Sequence, residues 1–384
     1  DRAYVSPATC GEIRLIYRLT RIDAARPDGG EVPRRLPMTL NAVFNAKDKS
    51  SAVTCAEIAR RWLATADLAQ SGSDLALKLM SSGGPLELVR PGNLFRIETN
   101  LQIAHAPKSA VRDFRTDYLL KVFDYDKQAH VFSEVKLENQ IDRARLLSDG
   151  ALATAFRRWL LAPDHLSELD RGTLVVPAAF LANRAVAPTP VGFAPSDLQP
   201  AFGLVRRNDD AEAVFREADV VAALRKATAD GIVFQNIRSS AGFERRLNDV
   251  TCAGCHQTRG IGGFHFPGVD WMAAKPDNSV VVPASPHFFG DQVRRRDILV
   301  AMRDGRTPDF SRGFSDRPQL RGSRELAGTE YYNGWGAHCY DSGKGSASPD
   351  KSFQSWNCAR GLACQVAGKA ATSSHMGMCF VGAN

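Results

Sequence analysis

The placement of the cysteines constrains this chain more than any other feature. Four of the eight, Cys339, Cys358, Cys364 and Cys379, fall in the last 46 residues. That tail is rich in Gly, Ser and Ala and has few large apolar side chains, so it cannot bury enough surface to hold a fold without covalent staples. Disulfides within the tail are the simplest solution, and four cysteines admit three pairings. A zinc knuckle is the competing use, but the intervening spacings of 18, 5 and 14 residues lack the tight C-x-x-C of most structural zinc sites. Disulfides imply an oxidising compartment: periplasm, cell surface or medium. Cys10 and Cys55 are expected to bridge as the only cysteines of the N-terminal unit. Pairing these six leaves Cys252 and Cys255 over.

Bulk composition places the chain among globular proteins of more than one domain. It has 384 residues, of which 44% are hydrophobic and 24% charged, enough for a large core. No apolar run is long enough to span a bilayer. The opening "DRAYVSPATCGE" is compatible with a processed, exported product. The net charge is +7, and the densest basic stretch, residues 293–324, alternates arginines with Asp297, Asp304, Asp309 and Asp316. That alternation describes an internally paired, solvated surface, and no nucleic-acid motif accompanies it.

Periodicity gives an α+β fold. Alternating apolar residues predict strands at 12–21, with Ile13, Leu15, Tyr17 and Leu19 opposite Arg14 and Arg18, and at 36–46, 92–107 and 116–137, the last with a turn at Asp126 and Lys127. Helical spacing follows Val53, Ile58, Trp62 and Leu63, runs through 138–163 to stop at Pro163, and returns strongly at 209–231. The proline-rich segment 172–206 reads as an ordered connection. The division expected is an α+β domain at 1–235, a helical and loop region at 236–330, and a cysteine-rich module at 331–384.

The chemistry concentrates in "VTCAGCHQTRGIGGFHFPG", residues 250–268. Here Cys252, Cys255 and His256 form C-x-x-C-H. Two cysteines at this spacing can form thioethers to the vinyl groups of a haem, leaving the next residue, histidine, to reach the iron. Phe243, Leu247 and Val250 lie at helical spacing immediately before the motif, and glycines follow it. Three other uses stay open: a small disulfide loop with His256 near a helix end, a reactive dithiol, and a zinc site completed by His265 and His287. Elsewhere, His375, Met376 and Met378 form a soft set suited to copper(I) beside Cys379. Trp335, Trp356, Tyr331, Tyr332 and Tyr340 cluster near the tail, where aromatics pack a small module or meet a sugar or protein partner. No P-loop, H-E-x-x-H, G-x-S-x-G or dinucleotide fingerprint is present.

The segment "CAGCHQTRGIGGFHFPG" resembles the haem-attachment segment of class I c-type cytochromes, over about 25 residues of the chain. The resemblance implies covalent haem c on Cys252 and Cys255, His256 as proximal ligand, and a mainly helical cytochrome c-like region around them. It also implies a distal ligand from the loop before the last helix. Here that loop, "VVVPASPHFFG", offers His287 and no methionine. Met302 lies within the following helical run, and Met272 is sixteen residues beyond His256. The expected function is an exported single-haem protein passing electrons to or from a redox partner, or acting on a small oxidant. The alternative is a secreted, disulfide-rich binding or structural protein without a cofactor.

Overall fold

A computed structural model of the chain describes residues 5–23, 32–47, 50–106, 115–189, 205–206, 214–235, 237, 239–252, 292–311, 338–340, 357–358, 361–366 and 376–381. Its centre is an antiparallel sheet. Strands β1 (Glu12–Asp23), β2 (Val32–Asn45), β3 (Leu94–Ala106), β4 (Arg115–Asp126) and β5 (Val131–Val135) follow one another as neighbours in that order. Strand β6 (Arg184–Thr189) shares the edge of β4 with β5: β5 pairs Val122–Asp126 of β4, and β6 pairs Thr116–Lys121. β6 comes from the proline-rich segment expected to be only a connection. An edge position explains the strand there, because a proline such as Pro188 costs no inner ladder bond at an edge.

Helix α1 (Cys55–Leu63) and helix α2 (Gly72–Met80) lie between β2 and β3 in sequence. The disulfide Cys10–Cys55, with Cα atoms 5.3 Å apart, ties the start of α1 to the chain entering β1. Ile58, Ile13, Ala46 and Cys10 are buried together there, with Phe44, Trp62 and Leu88 packed around them.

A second layer follows β5. Helices α3 (Arg143–Ser148), α4 (Gly150–Leu160), α5 (Pro163–Arg171), α6 (Glu217–Ala229) and α7 (Ser240–Asp249) enclose the largest core. At its centre Phe156 meets Phe180 and Phe215 at ring separations of 5.0 and 5.6 Å, and Phe215 meets Phe243 at 5.5 Å. The segment 136–142 joins sheet to helices. Leu137 N–H donates to Ala182 O, and Ala182 N–H to Gln140 O, so the seam is itself a short backbone ladder. Asn139 adopts a left-handed φ of 57°. Its buried amide bonds Leu174 O and Val176 N–H, fixing the strand of chain that runs on to β6.

The expected cytochrome-like helical region is not what the fold contains. The chain is a mixed α/β fold, and the two described helices of 236–330 belong to different cores. α7 places Phe243 and Leu247 in the aromatic core. α8 (Gln292–Arg303) packs on α1, and its Met302 joins the cluster around Cys10 and Ile58. Helical spacing shows that a helix has an apolar side and is silent about which surface covers it.

The single helix expected over 138–163 is likewise broken. Asp149 ends α3 and caps α4 through Leu152 N–H, and Pro163 begins α5, where its missing N–H costs nothing. In the tail, β9 (His338–Tyr340), β10 (Leu362–Val366) and β11 (Met376–Val381) form an antiparallel sheet in the order β10-β11-β9. The short parallel pair β7 (Val205–Arg206) and β8 (Phe215–Arg216) precedes α6. Among the described residues no helix is long and apolar enough to cross a membrane.

Candidate functional site

The approach to the C-x-x-C-H motif is rigid. α7 starts at a serine cap, where Ser239 Oγ accepts from Gly242 N–H at 3.0 Å. Ser240 donates its hydroxyl to Glu217 at the start of α6. Midway along the helix, Arg246 is 0% exposed. Its Nε donates to Leu169 O at 2.8 Å and its Nη2 to Asp170 O at 2.6 Å. These are carbonyls at the end of α5, where a helix presents unsatisfied acceptors and partial negative charge. The Asp170 carboxylate in turn accepts from Gln235 N–H and Ile237 N–H at 2.9 and 2.7 Å. The chain entering α7 and α7 itself are thus both fastened to the end of α5.

Three residues beyond α7, Cys252 reaches the seam between helices and sheet. Its Sγ donates to Glu138 O at 3.3 Å, and the side chain packs on Leu120, Val122, Leu137 and Ala185. Leu120, Val122 and Ala185 lie on one face of the sheet, because side chains alternate along a strand. Register extends that face: Ile16, Asn41, Glu98, Val122 and Val135 are successive partners across five strands. The neighbouring rows run Arg14, Val43, Arg96, Asp124 and Arg18, Thr39, Asn100, Leu120.

This polar face is the more buried one. Val43 is fully buried, Asn41 is 1% exposed and Asn100 9%. On the opposite, apolar face Tyr17, Leu19 and Val186 are about half exposed. Arg14 donates to Glu98 Oε2 at 2.6 Å and to Glu12 Oε2 at 2.9 Å. Asn41 Nδ2 donates to the same Glu98 oxygen at 3.2 Å. Burial works against the Arg14 charge, but Glu98 and Glu12, with Glu138 further off, outweigh it and hold the guanidinium above its ordinary pKa. Asn41 Oδ1 is buried and accepts no hydrogen bond.

The surroundings of Cys252 meet one requirement of a thioether link to a haem. Thioether carbons need apolar surface beside the sulfur, and the patch around Cys252 is apolar. Cys255, His256 and His287, with the alternative ligands His265 and Met272, lie outside the described residues. Met302 is packed in the N-terminal cluster. Among the described residues no three His, Cys, Asp or Glu side chains gather as a metal site. Cys358 and Cys364 are each half of a disulfide. Cys364 stands opposite Cys379 in the β10–β11 ladder, and Cys339 opposite Gly377. Tyr340 is on β9; Trp335, Trp356, Tyr331, Tyr332 and His375 are outside the described residues. In the basic stretch, Arg303 and Arg306 both pair with Asp304.

Sequence reasoning missed Arg246, Asp170, Asn41 and Glu98. Arg246 had a visible signal, since it occupies the i+3 position of the Phe243–Leu247–Val250 stripe. A charge on an apolar face is a buried and partnered charge or a misread face. Asn41 and Glu98 had no such signal, because alternation alone makes them solvent-facing. Comparison with protein-family models, with curated proteins and with solved structures returned no match to this chain.

Proposed function

We propose that this chain is an exported, single-haem c-type protein that passes electrons, or uses the haem iron on a small oxidant such as peroxide. One observation carries the proposal: a helix clamped by Arg246 delivers the first cysteine of C-x-x-C-H onto an apolar patch beside a buried polar face. Cys252 and Cys255 would make the thioethers, His256 would be the proximal ligand, and His287 the distal one. The haem supplies one-electron chemistry at iron. The protein residues anchor it, orient it and set the polarity around it. Leu120, Val122 and Ala185, packed around Cys252, would exclude water from the sulfur side.

Absorbance and denatured intact mass of the exported protein test this. A Soret band and a mass raised by one covalent haem are expected. Replacing Cys252 and Cys255 with Ala should abolish covalent haem, and His256→Ala should change the spectrum and lower occupancy. The disulfides at Cys10–Cys55, Cys358 and Cys364 favour a second reading, a secreted binding protein in which Cys252 and Cys255 also bridge. With eight cysteines, a mass lower by eight hydrogens and no porphyrin would establish that reading instead.

A further inference from the structure

We infer that the apolar face of the sheet docks on the same face of a second copy of this chain, giving a two-fold dimer built on a pair of facing sheets. An antiparallel sheet that packs one face and wets the other normally buries its apolar side. Here the sides are reversed. The inward face carries Arg14, Asn41, Arg96 and Glu98, and the apolar residues stand on the outer one. Register joins Leu15, Ala42, Ile97 and Phe123 into one row across β1 to β4. Met38, Leu101, Leu119 and Val186 form another across β2, β3, β4 and β6. None of these residues is buried. Tyr17, Leu19 and Val186 are 49%, 46% and 49% exposed. Thr99, between the two rows, donates its hydroxyl to Lys121 O at 3.2 Å, so covering it strands no donor.

Area and charge select the occupant. Five strand columns at about 4.8 Å, each contributing some six residues at ~3.4 Å, span roughly 24 by 20 Å. Two copies face to face therefore bury about 1,000 Å² before side-chain relief is added, which is what a specific interface requires. Within the rows from Leu15 to Leu19 the charged residues are Glu134, Lys121 and Arg184, all at the corner where β4, β5 and β6 meet. Lys121 and Glu134 pair with each other at 2.6 Å. A lipid surface would take that pair out of water, together with the outer edges of β1 and β5, which join no described strand. A second copy leaves them at the rim. Sheets packed face to face keep their strands within about 30° of one another. A two-fold axis across the strands would set Lys121 of the two copies against each other. An axis along β3 instead lays exposed Arg184 of each copy over Tyr17 of the other, because both belong to the same row at opposite ends. There the guanidinium meets an aromatic ring and a hydroxyl.

Sedimentation velocity of the full chain over about 0.1 to 100 μM reads the assembly directly. The wild-type protein should pass from monomer to dimer in that range. Tyr17→Arg sets a cation against Arg184 of the other copy, and Leu40→Glu buries a charge at the centre of the face. Each should weaken the dimer at least about tenfold, because a two-fold interface contains every substitution twice. Circular dichroism checks that each variant retains the fold. If Leu40→Glu fails to fold, Val186→Lys, at a half-exposed position, takes its place. Leu77, 70% exposed on α2 and off the sheet, supplies the control: Leu77→Lys should leave the dimer intact. Cys252 packs on the opposite face of the sheet, so the outcome does not depend on the haem reading. A wild-type protein still monomeric at ~100 μM overturns the inference. So does a dimer unmoved by Tyr17→Arg and by the folded central variant, or one lost in Leu77→Lys alone. A monomer that pellets with phosphatidylglycerol-containing vesicles unless Tyr17 is replaced overturns it in favour of a lipid surface.

Discussion

At the residue scale, the most consequential side chain described is Arg246. A fully buried guanidinium is tolerable only when its donors are spent, and here two go to the carbonyl end of α5. The interaction joins a fixed cation to a helix terminus of opposite partial charge. Arg246→Met keeps much of the volume but strands both carbonyls, and should cost about 3 kcal/mol. Arg246→Lys retains the charge without the fork, and should recover only part of that loss. Urea unfolding of both variants measures the difference; equal stability of the Arg246→Met and wild-type proteins would show that α7 is held by Phe243 and Leu247 alone.

At the element scale, α1 shows how a short helix is kept. Thr54 Oγ1 accepts from Glu57 N–H at 3.1 Å, capping the first turn. Glu57 accepts from Arg60 at 2.7 Å and from Arg61 at 2.9 Å, and Arg61 also reaches Glu87 at 2.7 Å. Hydrogen bonds from Arg60 and then Arg61 pull the Glu57 pKa from 4.5 to about 2. A depressed carboxylate pKa stabilises the fold above the ordinary value, and the stabilisation is lost as pH falls through the folded one. The window is therefore about pH 4.5 down to 2. Glu57→Gln should flatten the fall of the unfolding midpoint across that window and leave the slope near neutral pH unchanged. Parallel thermal melts at several pH values check this. The Glu57 carboxylate stays in contact with water, so solvent and salt screen the effect, and added salt should shrink the difference between the two proteins.

At the scale of the whole molecule, the fold is a sheet with each end served by a different helical group. The Cys10–Cys55 bridge closes a sequence separation of 45 residues at the corner where α1, β1 and α8 meet. Constraining a loop of this length stabilises by roughly 4 kcal/mol in the chain-entropy model. The double variant Cys10→Ser with Cys55→Ser should lose about that much, read as a lower denaturant midpoint with a similar slope. Hydrogen exchange in the same variant should quicken first in α1 and α8, because the cluster they share with Ile13 sits on the bridge. Uniform acceleration over α4 and α6 as well would mean that the two cores unfold as one.

Much of the local structure was legible in the order of residues. Alternation marks β1 to β5, because successive side chains in a strand take opposite faces whatever lies beyond them. The only cysteines of the N-terminal unit marked the Cys10–Cys55 pair. Helical spacing marks α1, α6 and the Phe243–Leu247 face of α7. Each of these signals is carried by neighbours within a turn or a strand length. Tertiary structure decided what those periods cannot encode. The Arg14 side of β1 turns inward while Tyr17 and Leu19 stay half exposed, since which face is covered depends on distant segments. α7 and α8, adjacent in the expected helical region, separate into different cores because their apolar faces meet different surfaces. Cys252 finds Glu138, 114 residues away in sequence, because the seam ladder and the Arg246 clamp bring both to one place. Local patterning specifies which elements form; long-range packing free energy alone selects their partners.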